Sequence, residues 1–118
     1  MTFKDDFTPL ERIQLLQRSI LVNSMAYYEL NDNILSDFQY DANARQLEGL
    51  MKECKDDARK SRYSEYFKDF FSEENGTHMT SGFDLLERVR KRDPELYRYL
   101  RMDAYLALEL KEEKYEKI

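Results

Sequence analysis

Between Thr8 and Asp41 the chain reads TPLERIQLLQRSILVNSMAYYELNDNILSDFQYD, and this stretch decides the fold. Thr8 is a good helix N-cap, Pro9 suits the first helical position, and Glu11 completes a capping box. Leu10, Ile13, Leu16, Ile20 and Tyr27 then recur at helical spacing. The pattern predicts a helix from about Pro9 to Leu30. Asn31-Asp32-Asn33 supplies the turn residues that stop it. Ser36-Asp37-Phe38-Gln39 repeats the capping box, with Gln three residues after Ser. A second helix is expected from there to Cys54 or Lys60, with Tyr40, Ala44, Leu47, Leu50 and Met51 as its apolar stripe. A link this short makes the two helices antiparallel neighbours. Residues 9–54 thus read as a helical hairpin with a short loop at its tip.

Outward from the hairpin the chain stays helical. Tyr63, Tyr66, Phe67, Phe70 and Phe71 fall on one side of an expected third helix, Ser61–Phe71, as an aromatic core stripe or a docking surface. Residues 72–80 form a polar loop that carries His78, read as a surface histidine. Asn75-Gly76-Thr77 matches a glycosylation acceptor that a cytosolic chain would never present to the enzyme. Ser81, with Asp84 three positions on, caps a fourth helix that bears Phe83, Leu86 and Val89 and ends near Arg92. Asp93-Pro94-Glu95 opens a fifth, expected to reach about Lys114, with Leu96, Leu100, Tyr105, Ala107, Leu108 and Leu110. Its apolar arc is wide enough for a central helix or for pairing between subunits. The charged residues 111–117 are expected to fray. The sequence therefore predicts an all-α single domain over 1–118: about five helices, with the hairpin at 9–54 and further helices at 61–114.

Composition agrees. With 118 residues, 3 Gly and 2 Pro, the chain lacks the turn formers that a sandwich or barrel needs. Hydrophobic residues are 42% and charged residues 36%, a globular balance without a membrane-spanning run. Residues 1–6 lack a signal peptide's apolar core. A single cysteine, Cys54, fits a reducing, cytoplasmic setting. The net charge of −5 argues against direct nucleic-acid binding, and Arg88, Arg90, Lys91 and Arg92 read as the basic end of a helix. The carboxylates are mixed with Lys and Arg, unlike those of a DNA mimic. One His and one Cys make no zinc ligand set.

The residues with chemical promise gather at the loop end of the hairpin. Asp37, Tyr40 and Asp41 share one face of the second helix. Tyr27 and Tyr28 end the first. An antiparallel hairpin brings phenol rings beside carboxylates. Aromatic faces stack on flat rings and attract cations, and carboxylates accept strong hydrogen bonds from sugar hydroxyls. A cationic aromatic ring on a ribose, as in nicotinamide riboside or mononucleotide, satisfies both. Asp37 and Asp41 also lie one turn apart, where two carboxylates could share Mg²⁺, a common pattern.

From about Gln17 to Met51, roughly a third of the chain, the sequence resembles the small N-terminal helical domain of bacterial NAD-dependent DNA ligases. The likeness rests on Tyr27-Tyr28, the Asn31-Asp32-Asn33 turn, Ile34-Leu35-Ser36-Asp37, Tyr40-Asp41, and then Arg45, Leu47 and Leu50. In that family the domain grips the nicotinamide mononucleotide (NMN) half of NAD. The resemblance implies that Tyr27 and Tyr40 contact the nicotinamide ring and that Tyr28 takes a position often held by His. It implies that Asp37 and Asp41 hold the ring amide or ribose hydroxyls. The chain departs from the family in having no Lys-x-Asp-Gly nucleophile motif, zinc cysteines or OB-fold. Asn43 stands where the family is usually apolar, and residues 55–118 have no ligase counterpart. The expectation is a non-catalytic, stand-alone ligase-related protein of the phage or prophage kind that binds NMN or NAD as a ligand.

Two other classes compete. In one, the hairpin is only a scaffold in an interaction module that docks on a DNA replication or repair partner through an exposed apolar patch, at Tyr63–Phe71 or on the last helix. In the other, the chain is an enzyme acting on nicotinamide nucleotides, which requires a metal site or a paired base and nucleophile in a pocket.

Overall fold

The computed structural model of the chain describes residues 7–68 and 81–116. Among these the fold is all-α: α1 (Pro9–Glu29), α2 (Asp37–Glu53), α3 (Lys55–Lys60), a 3-10 turn (Ser64–Tyr66), α4 (Gly82–Arg92) and α5 (Pro94–Glu116). His78, Phe70, Phe71 and the Asn75-Gly76-Thr77 pattern lie outside the described residues.

The helix starts follow the capping chemistry. Thr8 N–H donates to Glu11 Oε1 at 2.9 Å, and Thr8 Oγ1 accepts from Glu11 N–H at 3.2 Å. Ser36 and Gln39 make the same reciprocal pair at 3.2 Å in both directions. Ser81 and Asp84 do so at 3.3 and 3.1 Å. Asp93 caps α5 by accepting from Leu96 N–H at 3.0 Å. Each box satisfies helix donors that would otherwise lack partners. At the end of α1, Asn31 adopts φ 56°, a left-handed conformation that Asn tolerates better than other side-chain-bearing residues. It turns the chain into the loop.

α1 is the central helix and packs against α2, α3, α4 and α5. Its buried face includes Ile13, Leu16, Ile20, Leu21, Met25 and Ala26. Ala44 and Leu47 of α2, Leu85, Leu86 and Val89 of α4, and Leu100 and Ala104 of α5 close one contiguous core around it. The central place is thus taken by α1, whereas α5 lies outside and buries only one side of its wide arc. Arg18 fixes the rotation of α5 about its axis: its guanidinium donates to Asp103 and, at 2.7 Å, to the Tyr63 hydroxyl.

Over its described residues, 61–68, the third helix expected at Ser61–Phe71 does not form. The second helix ends at Glu53, Cys54 breaks the run at φ −116°, ψ 65°, and a six-residue α3 restarts before Ser61. The Ser61 hydroxyl donates to Ala58 C=O at 2.7 Å and accepts from Gln17 Nε2 at 3.0 Å. This local side-chain bonding competes with helix continuation. The following 3-10 turn directs Tyr63, Tyr66 and Phe67 into the core, each under 5% exposed. The described members of the aromatic cluster, Tyr63, Tyr66 and Phe67, are therefore core, as one of its two readings held, but they are delivered by a turn rather than by a helical stripe.

Among the described residues no helix is long and apolar enough to cross a membrane.

Candidate functional site

Where the hairpin loop meets the start of α4, the surface opens into a cleft of about 380 Å³. Four of the five residues singled out from the sequence line it: Tyr27 and Tyr28 from α1, Asp37 and Tyr40 from α2. Asn33, Ile34 and Leu35 of the loop form one wall, and Ser81 and Gly82 at the start of α4 form another. Asp41, the fifth, is exposed on α2 and does not line the cleft. It lies close enough to act on the Tyr40 phenol by its charge.

The wall is built by polar ties to α1. Asn23 sits one turn before Tyr27. Its Nδ2 donates to Ser19 C=O at 2.7 Å while its Oδ1 accepts from Leu35 N–H at 3.2 Å, which holds the loop against the helix. Lys111 Nζ donates to Asn33 C=O at 2.6 Å and ties α5 to the same loop. Asn43, polar where the ligase resemblance expects an apolar residue, donates to Ser19 Oγ at 3.5 Å across the hairpin.

The rings are arranged by contact. Tyr27 and Tyr28 meet edge to face, with centroids 4.8 Å apart and an interplanar angle of 89°. Tyr28 also meets Phe83 of α4 at 5.8 Å. Tyr27 is 55% exposed, so its ring is open to a ligand. Tyr40 is half-buried, and its hydroxyl lies 3.4 Å from Ser24 Oγ. Burial pushes the Tyr40 phenol above the usual tyrosine value, with the nearby Tyr28 and Asp41 adding to the effect and the Ser24 hydrogen bond opposing it.

The chemistry of the cleft is therefore aromatic and hydrogen-bonding, and among the described residues Asp37 is the one acidic side chain that lines it. Among the described residues no Lys or Arg lines it. Such a site suits a flat, neutral or cationic ring with polar substituents. Among the described residues no three of His, Cys, Asp and Glu converge as metal ligands.

Sequence reasoning missed Asn23, Ser24, Ser81 and Gly82. Two signals pointed to them. Asn23 and Ser24 lie one helical turn before the Tyr pair, on the same face. Gly82 is one of only three glycines, and it stands directly after the Ser81 cap at the start of a helix, where a missing side chain permits a close approach.

Comparison of the chain with protein-family models, with curated proteins and with solved structures finds no match in any of the three.

Proposed function

We propose that this chain is a non-catalytic recognition domain that binds a nicotinamide nucleotide, NMN or NAD, in the cleft between the hairpin loop and α4. One observation carries the reading: Tyr27, Tyr28, Tyr40 and Asp37, four of the five residues that the likeness to NAD-dependent DNA ligases assigns to NMN, line a single cleft of about 380 Å³. The exposed Tyr27 ring offers a π-face to the pyridinium, whose positive charge is attracted to it. Asp37 accepts from the ribose hydroxyls or the ring amide, and the Ser24–Tyr40 hydroxyl pair offers a further donor and acceptor. In this reading the protein is cytoplasmic and ligase-related, of the phage kind, and works by holding the nucleotide rather than by transforming it.

A second reading has its own observation. Tyr63, Tyr66 and Phe67 are buried and offer no patch, but α5 leaves a row of large apolar side chains exposed. An interaction module for a replication or repair partner, with the hairpin as scaffold, would use that face.

The deciding experiment is an NMR titration of isotopically labelled protein with NMN and NAD, with AMP as control. Binding predicts saturable shifts at Tyr27–Tyr40 and at Ser81-Gly82 with NMN, and none there with AMP. Absence of shifts at millimolar NMN overturns the nucleotide reading and leaves the scaffold reading standing.

A further inference from the structure

The outer face of α5 is apolar and charge-framed. Tyr99, Met102, Tyr105, Leu106 and Leu110 are each 51–65% exposed. They cannot turn inward, because Leu100 and Ala104 on the opposite side are fully buried and Asp103 is held by Arg18. Beside the row, Met102, Tyr105 and Leu106 border a groove of about 460 Å³ closed by Leu30. A contiguous exposed stripe of this kind marks a contact surface.

The charges on this face identify what covers it. Arg98 and Arg101 lie in the first half of α5, Glu109 and Glu112 in the second, and all four are exposed. None of the four has an ion-pair partner among the described residues. Tyr105 stands seven residues from both Arg98 and Glu112, and four from both Arg101 and Glu109. A two-fold axis at Tyr105, with the second helix antiparallel, therefore sets Arg98 against Glu112 and Arg101 against Glu109, each pair twice. The same axis places the apolar row of one copy on that of the other. Parallel pairing would put like charges together, and antiparallel helices also oppose their dipoles favourably. A face that is complementary to itself under a two-fold rotation is what an isologous homodimer requires. From Arg98 to Glu112 the contact would run about 21 Å along the helix.

We propose that α5 is the interface of an antiparallel homodimer, with a second copy of this chain as the occupant of the Leu30–Leu106 groove. The pairing is independent of what the cleft binds.

Sedimentation velocity over a concentration series tests it. The wild-type chain should approach twice its 14.3 kDa mass as concentration rises. The double variant Arg98→Glu, Arg101→Glu carries four like charges on the face and should weaken dimerisation at least about tenfold. So should Glu109→Arg, Glu112→Arg. Mixing the two variants should restore a dimer composed of one of each, and joining all four substitutions in one chain should restore the homodimer. Leu106→Lys should give a monomer that no charge swap rescues. Circular dichroism confirms that each variant keeps its helices, since every substituted side chain is exposed. A wild-type chain that stays monomeric at high micromolar concentration overturns the proposal. So does a dimer that both charge-reversal variants leave unchanged, which would place the interface elsewhere.

Discussion

Gly82 at the start of α4 abuts Ser24 of α1 so closely that a Cβ built on it would lie 2.5 Å from the Ser24 hydroxyl oxygen and 3.2 Å from the Tyr28 ring. The missing side chain lets α4 reach α1 and complete the cleft wall. Ser24 has little room to yield, because it is buried and its hydroxyl faces Tyr40. Gly82→Val should therefore push α4 off the Tyr28 face at a cost of about 2 kcal/mol. Thermal unfolding should show a Tm lower by roughly 6–12 °C. A variant as stable as wild type would mean that α4 docks without this close approach. In the same variant the proposed NMN shifts should be displaced or lost.

Asp37 and Asp41 separate under mutation. The ligase likeness treats them as a pair, but only Asp37 lines the cleft. Asp37→Asn keeps the shape and removes the charge, and it should weaken NMN binding by roughly 1.5–3 kcal/mol, the worth of a hydrogen bond to an ionised group. Asp41→Ala should change binding by much less. Tyr27→Ala, at a ring more than half exposed, should weaken binding while leaving the Tm nearly unchanged. Isothermal titration of the three variants reads this order directly, and a larger effect at Asp41 than at Asp37 would refute the assignment of the cleft as the site.

Three phenols make the fold sensitive to alkali. Burial raises the Tyr40, Tyr66 and Tyr97 phenols above the ordinary value of 10.0, helped by the Glu65 carboxylate at Tyr66 and by Glu29 at Tyr97. Between the unfolded and folded values the native state holds more protons than the unfolded chain. The stability these groups contribute is thus complete below about pH 10 and is lost as pH rises through the folded values. Urea unfolding should give a plateau from neutral pH to about pH 10 and a decline beyond it. Tyr97→Phe should flatten part of that decline. A stability that rises with pH above the tyrosine range would contradict the burial of these hydroxyls.

What could be read in advance was local. Thr8, Ser36, Ser81 and Asp93 bond to residues three positions away, so their caps and the helix starts stand in the sequence itself. The convergence of Tyr27, Tyr28, Asp37 and Tyr40 also followed, because the seven-residue link 30–36 leaves an antiparallel hairpin little choice. What escaped depends on distant partners. Ser61, where α3 ends, is met by Gln17, forty-four positions earlier, which donates to its hydroxyl. Tyr63, Tyr66 and Phe67 have the spacing of a stripe, but a tight turn buries them equally well, so periodicity alone could not choose. The α4 wall of the cleft is set by the packing of Gly82 on Ser24, between residues fifty-eight positions apart, and no local pattern encodes it.

Gln17 is fully buried in the middle of α1, and its carbonyl oxygen Oε1 has no hydrogen-bond partner. Its amide nitrogen donates to Ser61 Oγ at 3.0 Å, yet Ser61 keeps its own donation to Ala58 C=O at 2.7 Å. The side chain thus brings one modest hydrogen bond and one desolvated acceptor into the core. A net hydrogen bond is worth about 1 kcal/mol, and an unsatisfied buried acceptor costs about 1–3 kcal/mol. Met has similar length and volume and no polar group to satisfy. Gln17→Met should therefore leave stability unchanged or raise it by about 1 kcal/mol. Ser61→Ala in the wild-type background should cost about 1–3 kcal/mol, because it strips the Gln17 amide of its one partner. In the Gln17→Met background the same change should cost much less. Urea denaturation of the four proteins completes the cycle, and a coupling near zero would show that the Gln17–Ser61 contact does not hold the turn against α1.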